Sequence, residues 1–133
     1  MKGVAAVDGR VVLLKNERDE WELPGGRLEA SDATPEGVVE REIEEETGWG
    51  VAVGPLLDVW IYEPLPGARV VIVTYGCTVL TPDVAPLVSH EHKEVGLFAA
   101  DEIPGLRMPE GYKRSVSAWF GQREMGGLSG EPG

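Results

Sequence analysis

The chain reads TPEGVVEREIEEETG from residue 34 to residue 48, and this stretch predicts a helix over Pro35–Thr47. Thr34 suits the N-cap, because its hydroxyl can accept a hydrogen bond from a free backbone N–H of the first turn. Pro35 suits the first helical position, where no backbone donor is needed. Gly48 suits the left-handed conformation that ends many helices. The two caps therefore define both ends of the helix.

The acidic residues of this helix are not arranged like an ordinary solvent-facing charge cluster. Six glutamates and one arginine occur between residues 36 and 46. At about 100° per residue, Glu46 falls between Val39 and Ile43, which should face the core, and Glu42 lies beside them. Like charges at i,i+4 and acids at the C-terminal end both destabilise a helix. A half-buried carboxylate cluster becomes favourable if it holds a hard cation such as Mg²⁺.

Strands are predicted on both sides of the helix, separated by turn residues such as Asp8-Gly9 and Pro64–Gly67. This order of strands, helix, strands and helix favours an α/β fold in which two helices cover the faces of a mixed β-sheet. With no linker or internal repeat, we expect one domain over residues 1–123 and a flexible tail over residues 124–133. The predicted strands are Lys2–Val7, Arg10–Lys15, Trp21–Leu23, Val51–Tyr62, Ala68–Leu80 and Val95–Ala99, and the second helix is Gly111–Arg123.

Charge and composition restrict the class of function. Acidic residues outnumber basic residues 23 to 12, which gives a net charge of −11. That charge argues against a protein that coats a nucleic acid polymer or an anionic membrane. The single cysteine, Cys77, can form no internal disulfide. No signal peptide is apparent, and no apolar run approaches the ~20 residues that span a bilayer, so we expect a cytoplasmic protein.

Gly26 and the segment Arg41-Glu42-Ile43-Glu44-Glu45-Glu46-Thr47-Gly48-Trp49 resemble the signature of the Nudix hydrolase family. That signature is Gly, five residues, Glu, seven residues, then Arg-Glu-apolar-x-Glu-Glu-x-Gly-apolar. The second half matches at every fixed position, and Trp21–Gly26 is similar to the usual lead-in of the family. In the first half, five residues separate Asp32 from Gly26, as the signature requires, but eight residues rather than seven separate Asp32 from the arginine. Two explanations stay open: Asp32 replaces the first Glu, or that role is absent.

The resemblance implies an α/β/α sandwich and the metal-dependent hydrolysis of a nucleoside diphosphate linked to another group. Mg²⁺ or Mn²⁺ would bridge the phosphate oxygens. The metal ligands that it implies are Glu42, Glu45, Glu46 and the backbone carbonyl of Gly25, and Glu45 is also a catalytic candidate. Arg41 would orient the carboxylates, which its i,i+4 relation to Glu45 makes easy.

The segment Ser89–Glu94 supplies the candidates for a general base. Nudix enzymes often carry an extra acid here, which acts as the base or as another metal ligand. Glu91 is the best match and Glu94 the second candidate. The His-x-His pair, His90 and His92, is weak evidence for a zinc site.

Two residues bear on the substrate. Pro64 lies 16 residues beyond Gly48 and resembles the marker of the ADP-ribose pyrophosphatase subgroup, but turn chemistry explains it equally well. Arg27 is either a phosphate-binding residue or a surface arginine. ADP-ribose or a nucleotide sugar is slightly favoured over a (deoxy)nucleoside triphosphate of the MutT type. A catalytically silent nucleotide-binding module is disfavoured by the intact acidic set, and a homodimer is left open.

Overall fold

The computed structural model describes the backbone of residues 1–129 and the side chains of residues 1–123. Three strands are followed by an α-helix, and three further strands by a short 3-10 helix at Ala100–Gly105 and a second α-helix. The elements are β1 (Lys2–Val7), β2 (Arg10–Lys15), β3 (Trp21–Glu22), α1 (Pro35–Thr47), β4 (Val51–Leu65), β5 (Ala68–Val79), β6 (Glu94–Ala99) and α2 (Glu110–Ser129).

The six strands form one mixed sheet, which confirms the predicted fold class. β1 pairs with β5 in parallel, and all other strand pairs are antiparallel. β2 pairs with β6 along its length, whereas β1 and β3 share its other edge. The chain after β3 therefore meets the start of β1, where Gly3 N donates to Pro24 O (3.0 Å) and Lys2 pairs with Gly25. This pairing holds the loop at Gly25 and Gly26 against the end of the sheet.

Two apolar cores lie on opposite faces of the sheet, because successive strand residues point to opposite sides. Ala5 of β1 packs with Val39 and Ile43 of α1. Its neighbour Val4 belongs to the other core, with Val116 and further residues of α2. The sheet is thus enclosed between the helices. None of the helices in the described part of the chain is both long enough and apolar enough to span a membrane.

Helix α1 has the predicted ends. The Thr34 hydroxyl accepts a hydrogen bond from Gly37 N (3.0 Å), and Gly48 adopts φ +78°. Five residues of the helix are buried, and a carboxylate is among them, as the helical spacing predicts. These buried residues are Val38, Val39, Ile43, Glu46 and Thr47.

The boundaries of the later elements need correction. β4 extends to Leu65 rather than Tyr62, because the hairpin turn is made by Pro66-Gly67 alone, with Gly67 at φ +83°. Helix α2 runs beyond Arg123 to Ser129, although the density of glycine predicts an earlier end. The predicted flexible tail over residues 124–133 stays a prediction, since residues 130–133 lie outside the described residues.

Candidate active site

A cleft of about 530 Å³ lies at the end of the sheet where the β3–α1 loop, helix α1 and the segment before β6 meet. Because five glutamates line it, we call it the acidic cleft. The fold brings five residues singled out in the sequence to its wall: Gly25, Arg27, Glu42, Glu46 and Glu91.

Glu46 is the most enclosed acid of the acidic cleft, with only 4% of its surface exposed. Its Oε1 atom accepts a hydrogen bond from Gly25 N at 2.8 Å. Burial raises the pKa of Glu46 to about 7, although that hydrogen bond and the charge of Lys2 act in the opposite direction. A buried carboxylate with one hydrogen bond is costly unless a further partner compensates its charge.

The two glycines before α1 permit the close approach of loop and helix. A Cβ atom on Gly26 would collide with the carboxylate of Glu42. Gly25 adopts φ +152°, and a Cβ there would collide with the carbonyl of Met1. Larger residues would therefore push the loop away from the helix and separate Gly25 from Glu46.

Arg41 joins α1 to the loop before it. Its guanidinium binds both carboxylate oxygens of Asp32, at 3.0 and 2.8 Å, and Glu42 at 2.8 Å. The hydrogen bond from Arg41 lowers the pKa of Asp32. Asp32 therefore takes part in the network around the helix, despite the extra residue in the loop.

Glu45 lies outside the acidic cleft. Its side chain is 57% exposed and contacts Arg41 Nη1 at 3.3 Å. With Arg41, Glu40 and Glu44, it lines an adjoining groove. The family signature groups Glu45 with Glu42 and Glu46 as metal ligands. In the structure Glu45 lies apart from those two acids, because its position is further round the helix.

His92 is a part of the site that the sequence did not assign. Its Nε2 atom lies 3.3 Å from Glu22 and its Nδ1 atom 3.5 Å from Glu46. Glu22 also contacts Lys2 at 3.5 Å and accepts a hydrogen bond from Asn16 at 2.8 Å. These residues come from four separate segments, so no local pattern signals the contact. In the sequence, His92 stood out only through the His-x-His pair, which is weak evidence for a zinc site and does not indicate a contact with two carboxylates.

In the contacts around His92, opposite charges shift the pKa values of Glu22 and His92 against the effect of burial. Burial alone would raise the pKa of Glu22, but His92, Lys2 and Asn16 together lower it to about 2. The hydrogen bond to Glu22 correspondingly raises the pKa of His92, against the effect of its burial. Glu22 is therefore a charged anchor for His92.

Glu91 reaches the acidic cleft because it precedes this anchored histidine. The turn is closed by a hydrogen bond from His92 N to Ser89 O at 3.1 Å, and Lys93 N bonds to Lys15 O at 3.0 Å. Glu94, the second candidate for the base, instead lies on β6 and pairs with Lys15 at 3.4 Å. Of the two acids, only Glu91 lines the cleft.

The two candidate substrate contacts have different positions. Arg27 is exposed at the wall of the acidic cleft, and its carbonyl accepts a long hydrogen bond from Arg41 (3.4 Å). Pro64 is not part of the cleft lining; it lies on β4 beside the hairpin turn. A substrate contact at Pro64 stays a prediction, since Pro64 is not among the residues that line this cleft.

The sequence and the fold that form this cleft both match a known family. A sequence model described as the NUDIX domain matches residues 3–120, so the chain belongs to the Nudix family. Members of this family generally use divalent metal ions.

Three similar proteins are informative. A "MutT-like protein" of Streptomyces ambofaciens is 47% identical over 58 residues, which span 43% of this chain and 37% of the relative. The crystal structure of a MutT NUDIX hydrolase from Burkholderia pseudomallei is 28% identical, with a TM-score of 0.70, over 87% of this chain and 94% of the other. The crystal structure of a UDP-X diphosphatase is 25% identical, with a TM-score of 0.72, over 92% of this chain and 62% of the other. The aligned region thus spans less than two thirds of the first and third of these proteins.

Proposed function

We propose that this Nudix protein is a metal-dependent pyrophosphohydrolase that cleaves a nucleoside diphosphate linked to another group. The observation that carries the proposal is the convergence of Glu42, Glu46 and Glu91 on one cleft beside the Gly25 backbone. Such a site would repel an anionic diphosphate unless cations were present. The active form would therefore contain Mg²⁺ or Mn²⁺.

The residues of the acidic cleft fit a hard divalent cation. Their donors are oxygens, and the buried Glu46 carboxylate lacks a full set of hydrogen-bond donors. Across residues 1–123, no three His, Cys, Asp or Glu side chains are already arranged as a metal cage. This suits Mg²⁺, which usually keeps several waters and binds through one or two carboxylates plus substrate phosphates.

In this proposal Glu46 and Glu42 hold the metal, and the Gly25 carbonyl adds a backbone oxygen. A bound divalent cation would screen the diphosphate, polarise its P–O bonds and lower the pKa of bound water. Arg41 orients Glu42 through its hydrogen bond and is itself fixed by Asp32. Glu45 would join the ligands only by rotating from its exposed position on Arg41.

We assign the general base to Glu91. Its carboxylate would accept the proton of the water that attacks one phosphorus, while the bond from that phosphorus to the bridging oxygen breaks. The contacts of His92 with Glu22 and Glu46 keep the turn of Glu91 beside the cleft. Arg27, exposed at the wall, would bind a phosphate oxygen of the substrate.

For the substrate, a nucleotide sugar or ADP-ribose is favoured over a (deoxy)nucleoside triphosphate. Similarity to a UDP-X diphosphatase supports the first class, whereas similarity to MutT proteins supports the second. A silent binding module is a third alternative, against which the acidic cleft argues. With a net charge of −11, a small anionic molecule carried by cations suits the protein better than a nucleic acid polymer or a membrane.

A panel of nucleotides with Mg²⁺ tests both the activity and the class of substrate. Parent protein and Glu46→Gln would be incubated with ADP-ribose, UDP-glucose and dGTP, and the products separated by chromatography. We expect nucleoside monophosphate from the first two compounds and little turnover by the variant. Release of pyrophosphate from dGTP alone would favour the MutT type. No turnover of any compound by the parent would favour the silent module.

We further propose that the protein works in the cytoplasm as a homodimer. Its single cysteine is buried and unpaired, which suits a reducing compartment.

A further inference from the structure

The β4–β5 hairpin exposes a continuous apolar surface, here called the hairpin face. It consists of Leu56, Val59 and Ile61 of β4 with Val71 and Val73 of β5. Four of these side chains are 50–58% exposed: Leu56, Val59, Ile61 and Val71. Val59 is paired with Val73 and Ile61 with Val71, so the side chains of each pair lie on the same side of the sheet.

The opposite side of the same hairpin is covered. There, Trp60 packs edge-on against Tyr112 of α2 at 5.2 Å between ring centroids, and Ile72 belongs to the same core. The hairpin face is on the side of α1, which packs over the sheet nearer Tyr75 and Cys77. Within the part of the chain that the structure describes, the outer half of this side is left open.

Charge is nearly absent from the hairpin face, although the chain carries a net charge of −11. Asp58 lies on the other side of the hairpin and is 3.7 Å from Arg114 of α2. Near the turn, Glu63 and Arg69 form a pair of opposite charge at 4.0 Å. Two copies can therefore bring the side chains of the hairpin face together without placing like charges of that face against each other.

The exposed area matches the core of a small interface. Its five side chains expose on the order of 400 Å² of apolar surface, within the range of the largest apolar patch on a typical monomer. A stable interface buries about 800 Å² per partner, of which about 56–65% is apolar. The hairpin face with a rim of neighbouring polar residues would reach that size.

We infer that the hairpin face is the contact between two copies of this chain. A two-fold axis would pack Val59, Ile61 and Val71 of one copy against the same residues of the other, as two sheets stacked about 10 Å apart. At its end, Glu63 of each copy would come near Arg69 of the other. The inference rests on the proposed homodimer, for which it names the interface, and is independent of the catalytic proposal.

The association state of Ile61→Lys, measured by sedimentation velocity, tests this interface. Leu80→Lys is the matched control, because Leu80 is 62% exposed and lies outside the hairpin face. We expect the parent and Leu80→Lys to sediment as a dimer of two 14.4 kDa chains. Ile61→Lys should sediment as a monomer, with a dimer dissociation constant raised at least tenfold. Ile61→Thr, which keeps a β-branched side chain, should weaken the dimer less and guards against misfolding of the lysine variant.

Each result decides between the proposals. A monomeric parent at all concentrations overturns both the homodimer and this interface. If the parent is a dimer and both Ile61→Lys and Ile61→Thr dimerise equally well, the interface alone is overturned. The same holds if the hairpin face binds a different protein while Ile61→Lys leaves the dimer unchanged. Turnover of the monomeric variant reports separately on the catalytic proposal, since the hairpin face lies outside the acidic cleft.

Discussion

The two sides of helix α1 carry the same acid in different surroundings. Glu42 and Glu46 face the acidic cleft, where Glu46 is almost fully buried against the Gly25 backbone. Glu40 and Glu44 are exposed on the other side, in ordinary contact with water. All four residues are glutamates of one helix, so their different surroundings alone make the buried carboxylate chemically different from the exposed ones. Burial next to a fixed backbone group turns a surface charge into a candidate metal ligand.

The largest expected contrast is between Glu46→Gln and Glu44→Gln. Glutamine keeps the size of the side chain but removes the charge that would hold the metal. We expect turnover of Glu46→Gln to fall by about 10³-fold, in the range of a lost electrostatic contact at a reacting group. Glu44→Gln should keep near-parent turnover. Steady-state kinetics at saturating Mg²⁺ measures both, and equal losses in the two variants would contradict the distinction between the sides.

A second contrast concerns Glu91 and Glu94, the two acids considered as the general base. Glu91→Gln should lower kcat by about 10²-fold, the lower range for loss of a general base, with little change in metal affinity. The control is Glu94→Gln, which removes only the surface contact with Lys15 and should leave kcat near the parent value. Kinetics combined with a Mn²⁺ titration separates the two effects. Near-parent turnover of Glu91→Gln would assign the base to another residue, with Glu45 the next candidate.

The stabilisation of the fold by Mg²⁺ should also differ between variants on the two sides of α1, although the effect is smaller. A ligand at 100 times its Kd stabilises the folded state by about 2.7 kcal/mol if it binds only that state. Mg²⁺ should therefore raise the Tm of the parent and of Glu44→Gln to a similar extent. The increase should be smaller for Glu46→Gln. Differential scanning calorimetry would contradict the account if the increase were the same in all three proteins.

The smallest effect involves the buried thiol on the same side of the sheet as α1. Burial raises the pKa of Cys77 to about 12, because a thiolate is disfavoured in apolar surroundings. The reactive thiolate is thus scarce in the folded protein until the pH approaches that value. At pH 8 a thiol reagent should label Cys77 slowly in the native protein and rapidly after denaturation, and Cys77→Ala should keep near-parent turnover. Rapid native labelling would show that burial is incomplete.

Local sequence was enough to predict α1 and the unusual position of Glu46. The cap residues Thr34 and Gly48 act within a few residues, and helical spacing fixes which residues share a side. The hairpin at Asp8-Gly9 is similarly local, and both residues adopt the positive φ that its turn requires. These features depend on neighbours in the chain, so they can be derived from it directly.

Contacts between segments that are distant in the sequence cannot be predicted from neighbouring residues. The position of His92 depends on Glu22 of β3 and on Glu46 of α1, which only the complete sheet brings together. Glu45 matches the family pattern in sequence, yet its side chain lies with Arg41 outside the cleft. The length of the β4–β5 hairpin likewise follows from pairing along two strands, which continues to Leu65 and Ala68.

The metal dependence of turnover tests the central claim most directly. The parent protein would be assayed on its best nucleoside diphosphate derivative with Mg²⁺, then with excess chelator, and again after Mg²⁺ or Mn²⁺ is restored. Because five glutamates line the acidic cleft against two arginines, Arg18 and Arg27, we expect turnover to disappear with the chelator and to return with the metal. Full turnover in excess chelator would contradict the account.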